Sequence, residues 1–322
     1  MIWPAAEGQG RNDVWALGDS ILLEMGPAGF EFSRSIPFYG RQGVTSICDT
    51  AGNLLYYANS KTVINRNDDT LQNGQNLTEG FPNMVQGCLT IPVPGTLDRY
   101  YIFTLEAKGG PRNSLMVSVV DMNLDGGLGG ILPGFKSKLL ASNVGEMLNV
   151  VRHGNGKDWW VFVCPLKSDS IGRTQGILRF RATSDSILGP FFQDIGRSNG
   201  PLGEIVVSSD GRQLAISAYS SPLIQVFSFD RCSGLLSNAK AIYDALGGSG
   251  YLGIAFGPES QVLYGIRSDP RIVNQFFPDG DGYIQHEIVR YGTNVNHFLS
   301  TPELGPDGRV YVASGASGVV PD

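Results

Sequence analysis

Residues 204–218, EIVVSSDGRQLAISA, decide the fold. An apolar, β-branched run meets an Asp-Gly pair, and a second apolar run of matching length follows. Asp-Gly suits a tight hairpin because the chain must take positive φ there, and the alternating flanks fit half-buried strands. The same unit occurs five more times: TSICDTAGNLLYYA (45–58), CLTIPVPGTLDRYYIFT (88–104), NVVRHGNGKDWWVFV (149–163), GIAFGPESQVLYGI (253–266) and TPELGPDGRVYVAS (301–314). One turn residue from each, Gly52, Asp98, Gly156, Gly211, Ser260 and Gly308, gives gaps of 46, 58, 55, 49 and 48 residues. Spacing that even marks a repeat rather than unrelated hairpins.

Between the hairpins lie further strand candidates, such as SLMVSVVDM (114–122) and PLIQVFSFD (222–230), each followed by a Gly-containing turn. Each period therefore holds about four short strands, the content of one propeller blade. The expectation is an all-β chain: a single β-propeller domain over 1–322, built of four-stranded antiparallel blades. Helical periodicity is nearly absent, with one helical turn expected at NAKAIYDAL (238–246). Residues 14–33 read as outer strands without an inner strand of their own. This predicts about seven blades in the parent protein, with the C-terminal closing strand lying beyond Asp322.

Composition narrows the function classes. The 322 residues carry a net charge of −6 with no Lys/Arg cluster, which excludes the basic footprint of nucleic-acid binding. No apolar run approaches the length of a membrane span. Cys48, Cys88, Cys164 and Cys232 are widely spaced without a CxxC pair, and buried thiols can act as small hydrophobes. Residues 1–15, MIWPAAEGQGRNDVW, lack the basic-then-apolar pattern of a secretion leader.

Chemistry-bearing patterns are sparse. The three histidines, His153, His286 and His297, fall at separate ring positions and share no metal-ligand spacing. No G-x-S-x-G elbow is present, so a serine nucleophile has no positioned base. Asp121, Asn123 and Asp125 form D-x-N-x-D-G, the first half of an oxygen-ligand loop for a structural calcium ion, but position twelve is Leu132. An Asx and Gly turn accounts for the same residues. Asp279, Asp281 and Glu287 form a second, weaker acidic stretch. Aligning the hairpins on their turns makes Thr45, Asn149, Glu204, Gly253 and Thr301 equivalent, with Cys88 less closely so. These positions form a small polar mouth with one carboxylate, Glu204, and with His297 nearby; such a mouth can hold a small ligand. Trp159 and Trp160 must face opposite sides of their strand, one packed between blades and the other partly exposed.

The segments SICDTAGNLLYYANSKTVINRN (46–67), YYIFTLEAKGGPRNSLMVSVVDMNLDGGLGGI (100–131) and VRHGNGKDWWVF (151–162) resemble the extracellular WD-repeat-like β-propeller proteins of Bacteroidetes. The resemblance covers nearly the whole chain, and VVDMNLDGGLGG is its most specific stretch. It implies a secreted or cell-surface protein of the type IX secretion and gliding-motility-associated kind, with a non-enzymatic role. The sorting domain common in that family is not found within these residues. The functional expectation is a non-catalytic binding or scaffold module, monomeric and without cofactor, that meets a protein or surface glycan. The alternative is a propeller hydrolase or lyase acting at the channel mouth.

Overall fold

The computed structural model describes residues 10–17, 20–37, 43–79, 85–107, 113–166, 175–197, 200–243, 249–268, 271–290 and 297–316. Six antiparallel sheets form, and one of them comprises two blades joined through a shared strand, giving seven blades. Blade A is Val14–Leu17, Ile21–Gly26 and Gly29–Ser35; blade B is Thr45–Cys48, Leu54–Ala58 and Val63–Asn65. Blade C is Cys88–Pro92, Arg99–Ala107, Asn113–Asp121 and the first half of Lys138–Arg152. The second half of that strand opens blade D, which continues with Trp159–Pro165, Ile177–Ala182 and Ile187–Gln193. Blade E is Ile205–Val207, Gln213–Ser217, Leu223–Asp230 and Leu235–Tyr243. Blade F is Tyr251–Phe256, Leu263–Ser268, Arg271–Asp279 and Gly282–Arg290, and blade G is His297–Leu304 with Val310–Ala316.

All six sequence hairpins are the first two strands of blades B to G. Their turn residues Gly52, Gly156, Gly211, Ser260 and Gly308 have positive φ, while in blade C that role falls to Gly95. Ser260 bears its φ of 61° because its hydroxyl accepts from the Asp210 amide at 2.9 Å and lies 2.5 Å from Ser209 Oγ. Side-chain bonding to nearby backbone offsets the left-handed penalty.

The first strands pack in chain order around one axis, A beside B through to F beside G. Residues 14–33 differ from the expectation of partnerless outer strands. Val14–Leu17 is itself an axial strand, paired with Ile21–Gly26 and held beside blade B, where Ser46 Oγ donates to Val14 O at 2.7 Å. Blades G and A meet through aromatic rings: Tyr311 lies 5.7 Å from Trp15 and 5.2 Å from Phe30, both edge-on.

The core lies between blades, as it must when each sheet buries both faces. Blade D shows this cleanly. Trp159, Val161 and Val163 pack into the C–D cluster, and Trp160, Phe162 and Cys164 into the D–E cluster. Strand alternation assigns each residue its interface. Both tryptophans are buried, so neither is the partly exposed ring expected from the sequence; in a ring, both sides of a blade are interior. The helical turn expected at 238–246 is also absent over its described part. Leu235–Tyr243 pairs along Leu223–Asp230, and ladder bonding overrides the Ala-rich helical propensity. Residues 244–246 lie outside the described residues.

Candidate ligand site in the central channel

The axial strands enclose a cavity of about 310 Å³ at the end where they begin. Four residues expected at the mouth, Thr45, Asn149, Glu204 and Thr301, line it together, and so does Cys88. Gly253 does not, for a steric reason: a Cβ there would lie 2.6 Å from Thr301 Cα. Blades F and G thus approach too closely near the axis for any larger residue. His297 opens the axial strand of blade G, and its side chain lies outside the described residues.

Most polar groups at this level join blades. Gln86, in the approach to blade C, accepts from Leu148 N at 3.1 Å and Ile205 N at 3.0 Å, and donates to Ile205 O at 3.0 Å. Asn149 Nδ2 donates to the same carbonyl at 2.5 Å. Glu204 continues the belt: its carboxylate accepts from Ile254 N at 2.8 Å and from the Thr301 hydroxyl. One chain of side chains thereby links blades C, D, E, F and G. Glu204 is 1% exposed. Burial, then the neighbouring Glu303 carboxylate, push its carboxyl well above the ordinary range, while the Ile254 and Thr301 bonds oppose the rise. Glu146, bonded by Val85 N at 3.4 Å, is raised by burial as well.

The mouth therefore has a second carboxylate that the hairpin alignment missed. Glu303 lines the cavity and is exposed. It stands two residues past the aligned position Thr301, on the same face of the strand. Trp15 and Tyr311 supply an aromatic wall, also missed, because the first belongs to blade A and the second to the second strand of blade G rather than its axial strand. Among the described residues lining this cavity there is no lysine, arginine or histidine. A smaller space of about 80 Å³ shares Asn149, Glu303 and Leu304 with it and reaches Arg152 and Arg231 at the far end.

The other sequence candidates have structural work. Asp121 Oδ2 accepts from Arg99 Nε at 2.9 Å, and Oδ1 accepts from the Asn123 amide at 3.0 Å and its side chain at 3.1 Å. Asn123 Nδ2 also donates to Asp98, and Asp125 turns the chain at φ 50°. Asp121 is engaged within its own turn and with the neighbouring strand: the Asn123 bonds first, then the Arg99 guanidinium, hold its carboxyl below the ordinary range. Among the described residues no three His, Cys, Asp or Glu gather as a metal ion needs. Glu287 pairs with Arg290 at 2.5 Å; Asp279 ends one strand of a hairpin and Asp281 lies in its turn. His153 stacks on Trp160 at 5.2 Å and accepts from Asn155 N at 3.0 Å, capping its own turn. His286 meets Phe277 edge-on.

No family model matches the chain, and no curated protein does. Solved structures do. The periplasmic gluconolactonase PpgL of Pseudomonas aeruginosa is similar at TM-score 0.52 and 13% identity, covering 94% of this chain and 88% of that one. The fold is a β-propeller. The Myceliophteria thermophila Cps50 (Swd1) propeller domain is similar at TM-score 0.49 and 12% identity, covering 96% and 98%. A Desulfotomaculum acetoxidans protein of unknown function is similar at 0.49 and 14%, covering 95% and 89%. At 13% identity the likeness to PpgL speaks for the propeller architecture alone. Among the described residues no helix is long and apolar enough to cross a membrane.

None of the four cysteines is in a disulfide; Cys48, Cys88 and Cys164 are buried and Cys232 is exposed. Burial pushes the Cys48 and Cys164 thiols up to about 12 and Cys88 higher still, leaving them without the reactive thiolate.

Proposed function

We propose that the protein is a non-catalytic binding propeller, secreted or held at the cell surface, whose ligand site is the central cavity. One observation carries the reading: repeat-equivalent positions from four blades converge on a single space of about 310 Å³. That is within the range in which a cleft holds a small molecule. The belt through Gln86, Asn149 and Glu204 fixes this wall in place, and a preformed wall lowers the ordering cost of binding. Export rests on the resemblance to the Bacteroidetes surface propellers, and three buried, unreactive thiols are compatible with an oxidising compartment. Fractionation of the native cells tests location: recovery in the cytosol alone rejects it.

The binding site is tested by filling it. Val312 lines the cavity and is 37% exposed, so Val312→Trp can be accommodated without opening the core. Monosaccharide probes should raise the melting temperature of the wild type and leave Val312→Trp unmoved. Equal shifts in both proteins reject the channel as the site.

A second reading, a hydrolase or lyase at the same cavity, is favoured by Glu204 beside Glu303. A buried carboxyl whose affinity for its proton is raised, next to a second, exposed acid side chain, is a pairing from which an acid and a base can be drawn. Turnover of a lactone or glycoside that is lost in both Glu204→Gln and Glu303→Gln would move the function to this reading.

A further inference from the structure

Far from the channel, on the outer part of blade D, stands a guanidinium without a polar partner. Among the described residues the Arg179 side chain makes no hydrogen bond or ion pair, and its Nε and Nη1 are shut off from water. Burial holds the group below its ordinary value, and no carboxylate among the described residues opposes that shift. Arg181, two residues on and on the same face of the strand, is the contrast. Its Nε and Nη2 both reach Asp158 Oδ2, at 2.8 and 2.6 Å.

Arg179 is also held in place. Its Cζ lies 5.8 Å from the ring centroid of Phe191, its cross-strand partner. From blade E, the backbone at Gly234 closes on its stem: a Cβ there would lie 3.0 Å from Arg179 Cδ and 2.8 Å from the Trp160 ring. Gln193 ties the two blades beside it, donating to Leu236 O at 2.7 Å and accepting from Leu236 N at 3.0 Å. A long side chain fixed with idle buried donors costs stability, and a methionine would fill similar space without that cost. Such a departure from the best residue for the fold is expected where a side chain serves a second purpose.

We infer that this face, at the outer rim between blades D and E, docks a protein segment that presents a carboxylate flanked by apolar side chains. The carboxylate would pair with Arg179. The apolar part follows from the outer strand Ile187–Gln193. Leu188 and Phe191 stand opposite Arg181 and Arg179, so all four share one face, and the two apolar side chains are 45% and 42% exposed. Exposed aromatic and aliphatic groups around an arginine are the composition of an interface centre. An inorganic anion would use the charge and leave Leu188 and Phe191 in water. An apolar segment without an acid would cover the guanidinium while it was still unpaired, which is costly. Pro190 interrupts the N–H row of this edge, so the segment is read by side chains rather than by strand addition.

Two measurements test this. Arg179→Met should melt no lower than the wild type; a fall of several degrees would show that the guanidinium has a partner in the folded chain and overturn the proposal. Binding is followed by fluorescence anisotropy with three labelled, end-capped peptides, FLELF, FLQLF and FLKLF. The Glu peptide should bind on the order of tenfold more tightly than the Gln peptide, the usual gain of a charge-assisted over a neutral hydrogen bond. The Lys peptide should bind most weakly. Arg179→Met should bring the Glu peptide down to the level of the Gln peptide, and Phe191→Ala should weaken both. Equal binding of the Glu and Gln peptides overturns the proposal, as does Glu-peptide binding indifferent to Arg179→Met or no binding by any of the three. Phosphatidylserine vesicles that bind the wild type and not Arg179→Met, with the peptides silent, would overturn it in favour of a membrane surface. None of these outcomes bears on the channel, which is tested separately.

Discussion

Blades C and D are joined by one strand, whereas the described contacts between blades G and A are side-chain contacts. In Lys138–Arg152, Val144 pairs with Asn113 of blade C and also with Pro165 of blade D, so one strand carries backbone ladders to both blades, with register shifts on either side of Val144. Around that junction lie Trp159, Tyr101, Phe103 and Phe180, all buried. At the G–A seam, Tyr311 instead reaches Trp15 and Phe30, all half-buried, with its hydroxyl accepting from Phe30 N at 3.3 Å. Arg309 adds a bond to the Ala28 carbonyl. The two junctions seal the same kind of gap with different means. The continuous strand buries its polar groups in ladders and can be packed dry; the seam depends on a few rings at the cavity's edge. Local opening should therefore begin at the seam, and ligand access with it.

The largest effect should follow from emptying the C–D junction. Trp159 is fully buried and its ring lies under the Arg152 guanidinium at 4.0 Å. Trp159→Ala removes the ring and leaves a cavity, at a cost of about 3–5 kcal/mol. Urea unfolding measures it. A loss below about 1 kcal/mol would mean that the junction can collapse around the hole, and the contrast with the seam would disappear.

A smaller effect is expected at the seam. Tyr311→Phe keeps the ring but removes the bond from Phe30 N and the one donated to Asp307 Oδ2 at 2.7 Å. The expected cost is about 1 kcal/mol. Hydrogen exchange should show faster opening of Gly29–Ser35 and Val310–Ala316 with blades C and D unchanged. Uniform acceleration across all blades would show that the seam does not open separately.

This difference also explains what could be read from the residues. The hairpins of blades B to G were legible because each carries its own local signal, a positive-φ turn between two alternating runs, and that signal fixes register without tertiary help. Thr45, Asn149, Glu204 and Thr301 were legible as a ring because the repeat makes their positions equivalent. Blade A was misread because Val14–Leu17 gains its axial place from Ser46 and blade B, a contact far along the chain. Gln86 gave no signal at all: a lone glutamine outside any strand acquires its role only when Leu148 and Ile205 arrive beside it. Glu303 was hidden by the alignment itself, which points to one residue per strand. The D-x-N-x-D-G loop misled in the opposite direction, since Arg99 lies on another strand and sequence spacing cannot show that a guanidinium pairs with Asp121.

The smallest effect is a slope with pH, and it concerns the belt that lies next to the seam. Glu204 ties blades E, F and G at a carboxyl whose folded value is well above its ordinary 4.5. Below about 4.5 it is protonated whether the chain is folded or not, and its contribution is fully present. As pH rises through the raised folded value, the unfolded chain releases the proton more readily, and that contribution is lost. Glu146 acts with the same sign. Asp121 and Asp158 act with the opposite one, because bonds from Asn123 and Arg99 to the first and from Arg181 to the second hold them below 3.8, and their contribution is lost only as pH falls further. The two carboxyl windows do not overlap; above pH 4.5 His153, held below 6.5 by burial and then by Arg181, adds a change of opposite sign to the glutamates, so the wild type is compared with a variant that leaves His153 untouched. Glu204→Gln keeps an acceptor for the Ile254 amide and removes the proton, so its melting temperature should fall less steeply over that range than the wild type's. Parallel curves would mean that the carboxyl titrates normally in the folded chain. In that case Glu204 faces water, and the belt along blades E, F and G is looser than the ladder that joins C to D.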